Sequence, residues 1–342
     1  MLRLVTAAGI TAIGVMSSSL TRADEGGVSF WVPGNYGSLA AVPASPGWSL
    51  ASVFYYTSVN ASGGIAAQRE FELGNFSRAA SANLNVKLTA HAPLGFIDPS
   101  YAFASPILGG QLSLDMAGVV GNNSTKLDGT LTASIGRITA TRSGRITDAI
   151  TNFGDLYPRA SMRWNAGVNN YMVYLTGDIP AGAYSSTRLA NLGIGHGAID
   201  WGGGYTYFDQ KGGQEFSAVG GLTHNFVNPS TNYQNGLDWH VDWGASQFLS
   251  QTAFVGAVGY FYGQLNADTG SLPIVGPVES RVIGVGPQFG FIFPIGSLQV
   301  YLGFKAYKEF DNHDRPSGWN AWVTLSIAFT PPPAQPMTAA IY

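Results

Sequence analysis

Side chains of a β-strand point alternately to opposite faces, so a wall with lipid on one side and water on the other needs an apolar residue at every second position. Segment 237–243 has that pattern: Leu237, Trp239, Val241 and Trp243 take one face, and Asp238, His240 and Asp242 the other. It recurs in 298–309, where Leu298, Val300, Leu302, Phe304 and Ala306 oppose Gln299, Tyr301, Lys305, Tyr307 and Glu309. In 321–329 Val323, Leu325, Ile327 and Phe329 oppose Trp322, Thr324 and Ser326, and Leu112, Leu114 and Met116 alternate with Gln111, Ser113 and Asp115. Between 84 and 91 the same reading turns Leu84, Val86, Leu88 and Ala90 outward and Lys87 and His91 inward.

A helical reading of the charge-poor stretches fails. The runs 216–237, 244–267 and 282–304 contain no Asp, Glu, Lys or Arg, yet each is broken by turn residues such as Asn228-Pro229 or Pro294-Ile295-Gly296. They are rich in Gly, Val, Phe and Tyr, which suit strands better than helices. Twelve strands are expected, at about 49–59, 81–93, 107–120, 154–166, 169–179, 197–208, 213–227, 236–249, 252–266, 280–294, 297–310 and 319–329. Short links at 167–168, 209–212, 250–251 and 295–296 alternate with long ones at 180–196, 228–235, 267–279 and 311–318, as periplasmic turns and extracellular loops do. The expected fold is therefore all-β: a transmembrane antiparallel up-and-down barrel of about 12 strands, occupying 49–329. Segment 127–140 is assigned to an extracellular loop, with or without a hairpin in it, rather than counted as a thirteenth strand.

Composition agrees. Charged residues make up 11% of the chain, against about 25% in a soluble domain. Residues 1–23 have the parts of a secretory leader: Arg3, an uncharged apolar stretch from Leu4 to Leu20, and a small residue at Ala23. The acidic balance, 20 acidic against 17 basic residues, argues against a nucleic-acid partner. With no cysteine there is neither a disulfide nor a thiol nucleophile, and no cofactor, metal site or enzyme activity is expected. The expected partners are outer-membrane lipid, the barrel-assembly machinery and a small substrate, with the chain exported to the outer membrane of a Gram-negative bacterium. Residues 330–342 form a Pro-rich tail that cannot extend a ladder.

Two sets of residues attract functional interest. By parity the lumen receives Lys87, His91, Asp115, Arg159, Arg163, Asp178, Asp200, Glu215, Asp238, His240, Asp242, Lys305 and Glu309, a mixture of signs that braces an interior or guides a substrate. The second set lies in 24–48, a linker with no charge after Glu25 and with Phe30, Trp31 and Tyr36. A free periplasmic linker should be more polar, so this segment is expected to fold into the lumen as a plug. Asp238-x-His240-x-Asp242 puts three ligand types on one side, but about 7 Å separates alternate residues of a strand, so one ion could not bind all three without other strands.

Several short pieces resemble the meta-pathway of phenol degradation family of outer-membrane barrel proteins. They are 36–43 (Tyr-Gly-Ser-Leu-Ala-Ala-Val-Pro) with Pro46-Gly47-Trp48, then Gly154-Asp155-Leu156 and 188–193 (Arg-Leu-Ala-Asn-Leu-Gly). Later come 228–233 (Asn-Pro-Ser-Thr-Asn-Tyr), Gly284-Val285-Gly286-Pro287-Gln288 and Glu309-Phe310-Asp311. The resemblance spans about 26–329 and implies a channel for passive uptake of small hydrophobic or aromatic, phenol-like compounds. An alternative is a structural or adhesive barrel acting through loops 121–153 and 180–196. A soluble exported β-sandwich is a third reading.

Overall fold

The computed structural model describes residues 29–62, 83–135, 138–270, 280–313 and 315–329. Residues 1–23, read as a leader, and 330–342, read as a Pro-rich tail, lie outside the described residues. Among the described residues, fourteen strands follow in chain order. β1 (Gly47–Ser62), β2 (Asn83–Ala102), β3 (Gln111–Ile135), β4 (Ile138–Ala166), β5 (Asn169–Asp178), β6 (Ala198–Asp209) and β7 (Gln214–Asn225) come first. They are followed by β8 (Tyr233–Gln234), β9 (Asp238–Ser250), β10 (Ala253–Gln264), β11 (Thr269–Gly270), β12 (Arg281–Ile295), β13 (Leu298–His313) and β14 (Ser317–Phe329). The two-residue strands β8 and β11 pair with each other in the loops.

The other twelve form one closed antiparallel barrel, each paired with its sequence neighbour, and β1 closes on β14 from Ser49↔Ala328 to Asn60↔Ser317. Closure satisfies every strand edge, which is what permits a sheet to sit in lipid. Two-residue links at 167–168 and 296–297 mark the short-turn end, the periplasmic end of such barrels. Each opens on a glycine with positive φ, Gly167 at 70° and Gly296 at 61°, the backbone that tight hairpins require and L side chains resist.

Leu50, Phe54, Leu114, Leu175, Val255 and Phe289 are among the exposed apolar residues of the outer face. Aromatic pairs flank that belt: Trp48 with Tyr101 and Tyr171 with Tyr205 near the short-turn end, and Tyr56 with Trp319 towards the other. The buried core lies inside the barrel and includes Tyr55, Met172, Tyr174, Tyr260, Tyr307 and Trp322.

Three expectations change. β2 runs on through 94–102, a stretch expected to be a link. Its Pro93 and Pro99 lack an N–H, and no pairs join 92–93 or 98–99 to β3, while pairing with β1 is unbroken. Residues 127–135 and 138–140, assigned to a loop, are instead the far ends of β3 and β4, which stay paired as far as Ile135↔Ile138. At 25 and 29 residues, these strands far exceed the ~9–11 needed to cross a bilayer. Lastly, the parity of β2 is inverted: Val86 and Leu88 are buried, whereas Lys87 and His91 are exposed on the outer face. This part of β2 lies on the long-loop side, where Val86, Leu88 and Leu127 face inward and are covered by Leu189 of the 180–196 loop. Beyond the lipid the outer face meets water, so the apolar side turns in.

Candidate functional site

Residues 29–46, without regular structure, run up the barrel interior from the start of β1. A chain with no ladder of its own must still satisfy its backbone groups once buried, and here polar and charged residues of the wall supply the partners. At the short-turn end the Gln111 side chain bonds both the N–H and the carbonyl of Ala44, and Ser45 Oγ donates to Gln299. Higher up, Ala41 N–H donates to Thr206, and Leu39 N–H and Ser38 Oγ donate to Glu215.

The tightest grip falls on residues 34–36. Asp242 accepts from Gly34 N–H at 2.9 Å and Tyr36 N–H at 3.0 Å. Lys305 Nζ reaches the carbonyls of Gly34, Asn35 and Tyr36 at 2.7, 3.1 and 3.3 Å. Glycines make room for this approach: a Cβ on Gly244 would stand 2.8 Å from Ser38 N, and Gly34 itself has φ +86°.

Above this turn Trp31 lies flat on His240, ring centroids 3.6 Å apart. His240 Nε2 is 3.0 Å from Asp200 Oδ2 and 3.3 Å from the Tyr174 hydroxyl. Gly221 leaves space for that hydroxyl, since a Cβ there would come within 2.2 Å of it. Tyr36 sits 5.9 Å from Trp31 and 6.0 Å from Tyr174, and Phe30 is 5.9 Å from Tyr157. Near the long-loop end Arg315 Nη1 donates to Ser29 Oγ.

The other residues read as lumen-facing serve different ends. Arg159 binds Asp115 at 3.0 and 3.1 Å, Asp98 at 3.4 Å and the Tyr36 hydroxyl at 3.4 Å. Arg163 donates to Ser161 and reaches the Ala40 carbonyl. Glu309 accepts from Tyr260 and from Gly318 N–H, which braces three strands against one another. Asp178 is buried, and neither of its oxygens has a hydrogen-bond partner. Asp238 accepts from Asn225, so the 238–242 stripe splits among separate contacts instead of converging: Asp238 on Asn225, His240 on Asp200, Asp242 on the inserted segment. Lys87 is outside the lumen. One residue missed in the sequence belongs to this interior, Asp98, hidden in the proline-broken part of β2; Asp200, inward by parity, meets His240 from two strands away.

The 180–196 loop covers the interior at the long-loop end. Asp155 accepts from Gly182 N–H and Ile194 N–H, Asn123 donates to the Asn191 carbonyl, and Arg188 pairs with Asp148 at 2.7 Å. The Arg188 guanidinium pulls the Asp148 carboxyl down to about 2, and burial lowers His196. Among the described residues, Trp31 and Val32 wall two cavities. One of about 160 Å³ lies on the loop side against Leu192 and Glu309; one of about 110 Å³ lies below it against Phe96, Asp98, Tyr157, Arg159 and Trp322.

The model of the family described as "Putative MetA-pathway of phenol degradation" matches residues 74–325. No protein of curated function matches the chain. Among solved structures it is similar to an outer membrane channel from Pseudomonas putida F1, at 12% identity over 87% of this chain and 100% of that one, with a TM-score of 0.58. A Pseudomonas aeruginosa FadL homologue aligns at 8% identity over 83% and 90% of the two chains, TM-score 0.38. The CymD monoaromatic hydrocarbon channel aligns at 7% identity over 90% and 96%, TM-score 0.37.

Proposed function

Because the chain belongs to the MetA-pathway of phenol degradation family, we propose that it is an outer-membrane channel for passive uptake of small hydrophobic or aromatic compounds, closed at rest by residues 29–46. The observation that carries this reading is the partition the inserted segment forms in the lumen: its Trp31 and Val32 wall both the loop-side cavity and the one against Phe96 and Trp322. A substrate enters beneath the 180–196 loop, passes the partition when the segment shifts, and leaves at the short-turn end down its gradient.

The plug has a physical purpose. A lumen wide enough for an aromatic ring would also leak ions and polar solutes, and the inserted segment blocks them. Its polar side meets the wall charges, and its aromatic side faces the cavities. Asp115, Arg159, Arg163, Asp242 and Lys305 hold the segment or one another; Phe30, Trp31 and Tyr36 form the plug's apolar surface. Deleting residues 26–46 should raise single-channel conductance in planar bilayers. Unchanged conductance would remove the plug from this account.

A further inference from the structure

We propose that the lower cavity is a binding subsite for a neutral aromatic molecule carrying one hydrogen-bond donor, an aromatic alcohol or amine, and that Asp98 is the residue that reads the donor. This inference rests on the channel reading and adds a selectivity to it.

The walls set the first requirement. Trp31, Phe96, Tyr157 and Trp322 line a space of about 110 Å³, below the about 150 Å³ of a dry apolar cavity that accepts benzene, so a single ring is the most these walls admit. Flat aromatic surfaces on several sides favour a ring over a flexible chain.

The charges set the second. Arg159 spends its guanidinium on Asp115, contacting both carboxylate oxygens at 3.0 and 3.1 Å. Asp98 is left with one long contact to Arg159, 3.4 Å through Oδ2, and its buried Oδ1 has no hydrogen-bond partner. A buried acceptor without a donor is costly, and a turn of the carboxyl group that presents Oδ1 to an O–H or N–H held in the cavity relieves that cost. Asp98 also lines the cavity. A hydrocarbon of equal size fits the walls but leaves Oδ1 unmet, and an aromatic carboxylate brings a second negative charge beside it. The order of preference is therefore phenol-type, then hydrocarbon, then carboxylate.

The test uses the purified full-length barrel in detergent and ¹⁹F NMR with 4-fluorophenol, 4-fluorotoluene and 4-fluorobenzoate, each corrected against protein-free micelles. A hydrogen bond to a charged acceptor predicts that 4-fluorophenol binds roughly ten- to a hundredfold more tightly than 4-fluorotoluene, with 4-fluorobenzoate weakest. In Asp98→Ala the phenol should fall to the affinity of the toluene. Equal affinities in the unmodified protein, or an unchanged ratio in Asp98→Ala, would overturn the proposal. The comparison in the unmodified protein decides even if the variant does not fold. Uptake into proteoliposomes separates the two readings. Transport of both probes without a binding preference sinks the subsite and leaves the channel standing, whereas a binding preference without transport supports the subsite and sinks the channel.

Discussion

Removing the Asp242 carboxylate should release the plug without dismantling the barrel. Asp242 holds the N–H groups of Gly34 and Tyr36 at 2.9 and 3.0 Å, while Lys305 binds the carbonyls of the same turn. Each hydrogen bond to a charged acceptor contributes about 1.5–3 kcal/mol, so Asp242→Ala removes about 3 kcal/mol at the low end of that range. At 1.4 kcal/mol per tenfold change in an equilibrium, the undocked population rises roughly a hundredfold. β9 itself should persist, because its ladders to β7 and β10 are backbone bonds. Planar-bilayer recordings should show openings far more frequent than in the unmodified protein, at the conductance of the 26–46 deletion. Closed recordings from Asp242→Ala, alongside an open deletion variant, would refute the assignment of Asp242 as the main clamp.

Gly244→Val should have a similar effect by steric means, since a Cβ there meets Ser38 N at 2.8 Å and the Gly37 carbonyl carbon at 3.0 Å; raised conductance with unchanged heat-modifiable migration on gels is the expected result. The 180–196 loop should loosen with acid in two stages, read by hydrogen exchange of amides 182–194. His196 is held neutral by burial, its value lowered from 6.5, so its contribution is complete above that value and declines as the pH falls below it. Asp148 is lowered from 3.8 to about 2 by Arg188, so its contribution is complete above about pH 4 and is lost as the pH falls towards 2. A loop equally protected at pH 7 and pH 2.5 would contradict both.

The wall was readable in the sequence wherever lipid defines the outside. Trp239, Val241 and Trp243 had one possible face once Asp238, His240 and Asp242 had the other, and β13 and β14 followed the same rule. That rule failed at Val86 and Leu88, because these residues stand beyond the lipid, where a folded loop covers the inside and water the outside. Asp98 escaped notice because Pro93 and Pro99 interrupt the alternation that would have placed it. The aromatic, uncharged character of 29–46 was visible, but its partners were not. Asp242 lies 208 positions from Gly34, and Lys305 lies 271, so only barrel closure brings them together.

The central claim, that residues 29–46 must move for an aromatic molecule to pass, can be tested with one disulfide. The chain has no cysteine, and Ser38 Oγ lies 2.8 Å from Ser246 Oγ on the wall, so Ser38→Cys with Ser246→Cys creates a single lock between segment and barrel. Uptake of radiolabelled phenol is measured in outer-membrane vesicles carrying this variant, oxidised and then reduced. The account predicts that oxidation brings uptake down to the level of vesicles without the protein and that reduction restores it. Equal uptake in the two states, with the disulfide shown to be formed, would contradict it.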